Sequence, residues 1–158
     1  MIRNFIFIIV LFLAFISCRQ HNHLTVDQKK VIVEEIKLMM NNYYNDIKSS
    51  GLVAEFKYLD SSKDFSWSPP GYSMSISYDS VAHILRSNAA GFKSILNTWE
   101  TLEILPLSKE LATYSSRINS RVTDTSGMIT NTILLETGTV IKRKGGWKLL
   151  SGQTKILP

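Results

Sequence analysis

The chain has 158 residues, of which 44% are hydrophobic, with one cysteine and a formal net charge of +5. A single cysteine excludes a disulfide within the chain, and this mild, dispersed positive charge does not indicate nucleic-acid binding. The length suits one ordinary domain with a hydrophobic core of its own.

The N-terminus has the pattern of a bacterial export signal, residues 1–17. Arg3 precedes an uncharged apolar run over residues 5–16, which is shorter than the roughly 20 residues of a transmembrane helix and matches a signal h-region. Residues 15–18 read Phe-Ile-Ser-Cys and resemble a bacterial lipobox, with Phe where Leu is usual. We therefore expect cleavage before Cys18 and acylation of Cys18, giving a lipid-anchored protein of the cell envelope that faces the periplasm. The alternative is an uncleaved anchor with a buried or stray thiol.

Residues 18–24 are predicted to be the lipidated cysteine and a short polar tether, so that the folded domain, residues 25–158, stays close to the membrane. His21 and His23 are two residues apart, but a metal site needs three or four ligands. His83, the remaining histidine, is distant in sequence. The sequence therefore predicts neither a metal nor another cofactor.

Apolar residues after Thr25 recur every three or four positions, as they do in amphipathic helices. Thr25 and Gln28 have the spacing of a capping box, and the long helix that they begin is predicted to end at Gly51. Residues 52–59 predict a short second helix. Asp79 is the predicted cap of a third helix.

After residue 94 the apolar period changes to two, which predicts long strands over residues 95–105, 112–123, 128–143 and 147–156. Residues 124–127 and 144–146 are predicted hairpin loops. Gly138, between two threonines, predicts a bulge that bends its strand. Three helices followed by a bent antiparallel sheet constitute an α+β fold.

The third of these strand regions shows which side chains face inward. Even-numbered residues from 112 to 122 are apolar or small, whereas several odd-numbered ones are charged or amide residues, so the even face points to the core. This places Tyr114, Ser116 and Ser120 inside. Small hydroxyls among large apolar residues either line a small-molecule cavity or bond neighbouring backbone.

The segments KDFSWSPPG (residues 63–71) and VIKRKGGWKLL (residues 140–150), in this order of helices and strands, resemble the nuclear transport factor 2-like (NTF2-like) superfamily from Thr25 to the C-terminus. The superfamily includes SnoaL-like polyketide cyclases, ketosteroid isomerases and non-enzymatic binding or dimerisation domains. The resemblance implies a cone in which three N-terminal helices pack on a strongly curved antiparallel sheet and enclose a pocket.

The isomerase branch of this superfamily implies roles for particular positions. Tyr44 falls at the position of its oxyanion donor, and Ser68, directly before Pro69, at that of its general base. Serine cannot take a proton from carbon near neutral pH without a base of its own. The second acid position falls near Thr139, and Glu136 is the closest carboxylate. The resemblance therefore does not extend to isomerase chemistry.

The SnoaL-like branch carries histidine in its last strand where this chain has Gln153, which binds polar groups but does not titrate. The remaining candidate bases are Glu100, Glu103 and Glu136, and Glu136 is the weak catalytic candidate. The predicted ligand-binding residues are Tyr44, Tyr58, Trp67, Trp99, Tyr114, Ser116 and Gln153.

From these residues we predict a membrane-anchored domain that binds a small apolar or amphipathic molecule without catalysis. Its partners are this molecule and, through the acyl chains, the membrane, with no nucleic acid. One alternative is a SnoaL-like acid/base enzyme, such as a cyclase, isomerase or dehydratase. The other is an interaction module that forms a homodimer.

Overall fold

The computed structural model describes residues 23–158. The predicted signal peptide, Cys18 and most of the tether lie outside them. The helices are α1 (Val26–Ser50), a 3₁₀ helix (Leu52–Lys57), α2 (Tyr78–Asn88) and a second 3₁₀ turn (Ala89–Gly91). The strands are β1 (Ser66–Ser68), β2 (Phe92–Pro106), β3 (Leu111–Asp124), β4 (Ile129–Arg143) and β5 (Gly146–Leu157). Over residues 23–158, every helix falls short of the length and apolarity that crossing a membrane requires.

Helix α1 begins and ends as its sequence predicts. The Thr25 amide donates to Gln28 Oε1 at 2.9 Å and Thr25 Oγ1 accepts from the Gln28 amide at 3.2 Å, which is a complete capping box. Gly51 ends the helix with φ 76°, in the left-handed region that favours glycine. The buried face of α1 consists of Ile32, Ile36, Met39, Met40, Tyr43, Tyr44 and Ile47.

The other two helices differ from the prediction in detail. The short second helix predicted over residues 52–59 is a 3₁₀ helix over Leu52–Lys57. The cap of α2 is Ser77, whose hydroxyl accepts from the Ser80 amide, and Asp79 lies in the first turn, where its charge favours the helix dipole. The Asp79 cap was therefore placed two residues too late.

The five strands form one sheet in the order β1-β5-β4-β3-β2. The four long strands pair antiparallel, as predicted, but β1 pairs with β5 in parallel. The sheet is therefore mixed, and the prediction of a wholly antiparallel sheet was wrong. The exception is β1, a three-residue edge strand that lies in the chain between the first 3₁₀ helix and α2. The fold class is α+β, with helices packed on a five-stranded sheet. Within residues 23–158 the structure does not show the strong curvature that the sequence predicts.

The predicted bulge at Gly138 was wrong. Gly138 stays in register, paired with Tyr114 on one side and Gly152 on the other. The irregularity lies one residue further on, where Thr139 pairs with Ser151 and Val140 with Leu149, so that β5 carries the extra residue. Gly138 has a packing role instead, because a Cβ there would lie 2.9 Å from the Tyr114 ring.

Candidate functional site

A cavity of about 220 Å³ lies between the inner face of the sheet, the end of α1, the first 3₁₀ helix and α2. Most of its lining side chains are aromatic or aliphatic, and none is Lys, Arg or His. Such a wall with a few polar groups is typical of small-molecule sites. The polar side chains that line it are Tyr43, Tyr44, Glu55, Asn97, Glu136 and Thr154.

Glu136 lies on β4 with its side chain on the inner face, and it is buried. Both of its carboxylate oxygens accept hydrogen bonds, Oε1 from the Tyr114 hydroxyl at 2.7 Å and Oε2 from Thr154 Oγ1 at 3.0 Å. Burial raises the pKa of Glu136, although these two donors act in the opposite direction. Glu136 is therefore a carboxyl fixed in one orientation.

Glu55 is the second acid of the cavity and lies on the first 3₁₀ helix. Its Oε2 accepts a hydrogen bond from the Tyr43 hydroxyl at 3.0 Å. Burial raises the pKa of Glu55 to about 7, and the negative charge of Glu136 acts in the same direction. The bond from Tyr43 lowers this pKa but does not offset burial. Glu55 therefore changes its charge near neutral pH.

Two glycines shape the wall beneath Glu136. Gly138 and Gly152 face each other across β4 and β5, and the aromatic rings of Tyr114 and Trp67 lie over them, since a Cβ on either glycine would be under 3.0 Å from a ring atom. The Trp67 Nε1–H donates to Thr154 Oγ1 at 3.2 Å. The glycine row thus lets both aromatic side chains reach the hydrogen bonds that hold Glu136.

Two polar groups of the lining lack partners. The Tyr44 side chain is 7% exposed, and its hydroxyl makes no hydrogen bond within residues 23–158. Burial raises the pKa of Tyr44 well above its usual range, so the phenol stays neutral. Asn97 Oδ1 is buried without a hydrogen-bond partner among the same residues. An unsatisfied buried polar group costs about 1–3 kcal/mol, a cost that a bound molecule could remove.

The structure brings three of the predicted residues together in this lining, Tyr44, Trp67 and Glu136. Tyr114 and Ser116 lie behind it. The Tyr114 hydroxyl holds the Glu136 carboxylate, and Ser116 Oγ donates to the Glu136 carbonyl oxygen at 3.2 Å. Of the two interpretations of Ser116, the structure shows the bond to backbone and not the cavity lining.

The other predicted binding residues lie away from the cavity lining. The Tyr58 hydroxyl donates to Asp46 at 2.6 Å. Trp99 Nε1–H donates to Asn41 Oδ1 at 3.2 Å, although its ring packs on Tyr44 with centroids 4.4 Å apart. Gln153 is exposed and lines shallow depressions on another part of the surface.

The other two candidate bases, Glu100 and Glu103, are exposed, and Glu100 pairs with Arg117 at 2.6 Å. Ser68, at the base position of the isomerases, lies outside the cavity lining, with its hydroxyl 3.1 Å from that of Ser75. Within residues 23–158 no three His, Cys, Asp or Glu side chains are grouped to hold a metal ion.

Sequence reasoning missed Glu55, Asn97 and Thr154, yet two of them left a signal. Glu55 follows Leu52 by three residues and precedes Leu59 by four, so it shares the apolar face of its helical segment. Asn97 alternates with Ile95 on an inward-facing strand row. A polar residue on an apolar face is the pattern to look for.

No protein-family model matches the chain, and no curated protein matches it. Solved structures do. A provisionally named scytalone dehydratase from Novosphingobium aromaticivorans is 18% identical, with 85% of this chain and 89% of that one covered and a TM-score of 0.70. An NTF2-like superfamily protein from Salmonella enterica is 12% identical, with coverages of 82% and 93% and a TM-score of 0.69.

A third similar structure is the hexachlorocyclohexane dehydrochlorinase LinA-type3 from Novosphingobium barchaimii, which is 7% identical, with coverages of 85% and 92% and a TM-score of 0.66. Likeness at such low identity shows the fold alone. The chain has the NTF2-like fold, whose members include binding modules as well as dehydratases and isomerases.

Proposed function

We propose that this protein is a lipid-anchored domain of the bacterial cell envelope that binds a small, mainly apolar or amphipathic molecule. The observation that carries the proposal is the cavity beside Tyr44 and Asn97, where the Tyr44 hydroxyl makes no hydrogen bond within residues 23–158 and Asn97 Oδ1 is buried without one. A packed core leaves few voids larger than a water molecule, and buried polar groups in native proteins are normally satisfied. This cavity is larger than a water molecule and contains polar groups without hydrogen bonds, so it suits a ligand with an apolar body and a polar group.

The cavity also favours ligand binding over the alternative of a homodimeric interaction module. A domain used only for dimerisation needs no internal space and would present apolar residues on the outer face of its sheet. The outward residues of β3 include Ser115, Arg117, Asn119 and Arg121, which are polar or charged. The exposed Leu96 and Leu135 on the neighbouring strands pair with Arg121 and Arg117, so this face mixes apolar and charged residues and is not the continuous apolar surface that a dimer would bury.

Replacing Tyr44 by phenylalanine tests the binding proposal. The change removes one hydroxyl at nearly constant shape, so it should leave the fold intact and weaken binding of any molecule that is found to co-purify with the protein. A neutral hydrogen bond contributes about 0.5–1.5 kcal/mol, which corresponds to a loss of several-fold in affinity by calorimetry. Tyr72→Phe, at an exposed tyrosine outside the cavity, is the matched control. Equal affinities in wild type and Tyr44→Phe would mean that Tyr44 serves packing alone.

The membrane anchor can be tested independently of the cavity. Cells that express the full-length chain are grown with a clickable fatty acid, and the wild-type protein should become labelled. Cys18→Ala should abolish the label and leave unprocessed precursor. A wild-type chain that is cleaved but stays unlabelled would contradict acylation of Cys18.

An acid/base enzyme is the second candidate function, and one observation favours it. Glu55 and Glu136 line one cavity, and the pKa of Glu55 is raised to about 7 by burial, which suits proton transfer at neutral pH. Two of the similar structures bear the names of a dehydratase and a dehydrochlorinase, enzymes named for eliminations. An elimination or isomerisation of the bound molecule that disappears in Glu55→Gln would establish this alternative.

A further inference from the structure

The cavity wall holds two carboxyl groups and no lining cation. Its two titratable acids, Glu55 and Glu136, lie among aromatic and aliphatic side chains, and the lining contains no Lys, Arg or His. Ionised carboxylates in an apolar environment are costly unless they are paired with a cation. The lining therefore lacks a cation that could pair with these carboxylates when they are ionised.

The groups that face Glu55 from the neighbouring elements are neutral or negative. Tyr43 and Tyr44 of α1 are phenols whose pKa values burial raises well above the usual range, so they stay uncharged. Glu136 of β4 adds a like charge. Val81, Ile84 and Leu85 of α2 contribute only apolar surface to the lining.

The cations closest in sequence to Glu55, or on the helix packed beside it, are engaged elsewhere. Lys57 pairs with Asp46 at 2.9 Å. Arg86 of α2 lies 4.8 Å from the ring centroid of Phe56. No lysine or arginine of residues 23–158 reaches the cavity lining, so a bound molecule with a positive charge would complement the ionised carboxylates.

The unpartnered groups of the wall point to the same chemistry. Tyr44, which is 7% exposed, has a hydroxyl without a partner in the described part of the chain, and its oxygen can accept a hydrogen bond. Asn97 Oδ1 is an acceptor without a donor among residues 23–158. Glu55 Oε2 accepts a hydrogen bond from Tyr43, and Oε1 makes none within residues 23–158. The free oxygens of Asn97 and Glu55 thus accept hydrogen bonds from a donor, and the Tyr44 hydroxyl can either accept or donate one.

We propose that the ligand is a small apolar molecule with a protonated amine, and that the ammonium group is held by Glu55 with Glu136, Tyr44 and Asn97 around it. This inference rests on the proposed binding function and specifies its ligand class. A primary ammonium supplies three N–H donors and one positive charge. Hydrogen bonds between ions are about twice as strong as neutral ones, and the rings of Tyr43, Tyr44 and Trp67 add surfaces that attract cations.

Binding of an ammonium group to Glu55 is coupled to the protonation state of Glu55. Below about pH 7 Glu55 is largely protonated, so an incoming ammonium displaces that proton into solution. Above this pH the carboxylate is already formed and no proton is released. Affinity for the amine should therefore rise with pH, by up to about tenfold per unit below the pKa of Glu55 and then level off.

Two probes of nearly equal shape test the inference, 2-phenylethylamine and the neutral 2-phenylethanol. Calorimetry on wild-type protein at pH 8 should show the amine binding at least about tenfold more tightly. At pH 6 the advantage should shrink, and the heat should depend on the ionisation enthalpy of the buffer because a proton is released. Glu55→Gln should remove most of the advantage and its pH dependence, whereas Glu103→Gln, at an exposed carboxylate, should keep both.

The outcomes separate this inference from the function on which it rests. If the alcohol binds as tightly as the amine at pH 8, the cavity binds small molecules but the ammonium assignment is wrong. An amine preference that survives in Glu55→Gln, with the variant folded by thermal denaturation, would also overturn it. If neither probe binds wild type, both the inference and the binding proposal fail.

Discussion

Replacing Gly152 by alanine is expected to lower the free energy of unfolding by about 3 kcal/mol, at the upper end of the range for overpacked cores. A Cβ at this position lies 2.5 Å from the Thr137 carbonyl oxygen and 2.7 Å from the Trp67 indole. One of these neighbours is backbone of the adjacent strand and the other is a buried ring. Neither can move without disturbing the sheet or the bond from Trp67 to Thr154.

Urea denaturation of wild type and Gly152→Ala measures this effect. Gly91→Ala is the matched control, because a Cβ there has no atom within 4 Å and should change stability little. We also expect Gly152→Ala to weaken ligand binding, since Thr154 loses the neighbour that orients it toward Glu136. A Gly152→Ala protein as stable as Gly91→Ala would show that the Trp67 ring does not need the space above residue 152.

Replacing Glu55 by glutamine is expected to stabilise the unliganded protein at pH 8 by up to about 3 kcal/mol. Burial raises the pKa of Glu55 from 4.5 to about 7, and each unit of pKa difference corresponds to about 1.4 kcal/mol. Between pH 4.5 and 7 the folded wild type therefore holds a proton that the unfolded chain has released, and at pH 8 it carries a buried carboxylate instead. The contribution of this proton to stability is complete below pH 4.5 and is lost as pH rises through 7.

Glutamine has no proton to lose and keeps an oxygen for the Tyr43 hydroxyl. The difference in unfolding free energy between Glu55→Gln and wild type should thus grow between pH 4.5 and 8 and vanish at the acidic end. Glu103→Gln should show no such growth. A constant difference across this range would mean that Glu55 titrates normally in the folded protein.

Local patterns in the sequence predicted much of the fold. Alternation after residue 94 located all four long strands, and Thr25, Gln28 and Gly51 marked the ends of α1, because capping and pleating depend on neighbouring residues. The parallel pairing of β1 with β5 could not be predicted in this way. Ser66 and Ser151 are paired although they are far apart in sequence, and a three-residue strand has no period of its own.

The site was predicted less completely than the fold. Tyr44, Trp67 and Glu136 were named and do line one cavity, whereas Trp99 and Tyr58 find their hydrogen bonds elsewhere. Aromatic residues at inward positions all look alike in a sequence, since whether a ring fills the core or borders a space depends on packing between distant elements. Glu55 had a local signal, a carboxylate on an apolar face, that was not used.

Gly138 shows how a correct observation led to a wrong reason. A glycine in a long strand predicts a bulge. The structure keeps it in register, and its missing side chain makes room for the Tyr114 ring. Only the neighbouring strand shows this, because the contact crosses from β4 to β3.

The most direct test of the binding proposal is methyl NMR spectroscopy of the folded protein titrated with 2-phenylethanol and 2-phenylethylamine. Val81, Leu134 and Leu149 line the cavity, whereas Leu105 and Ile129 are exposed. We expect at least one probe to shift the signals of the three cavity residues in a saturable manner and to leave the two exposed residues unchanged. Unchanged cavity signals with both probes, or shifts confined to the exposed residues, would contradict a small-molecule site at this cavity.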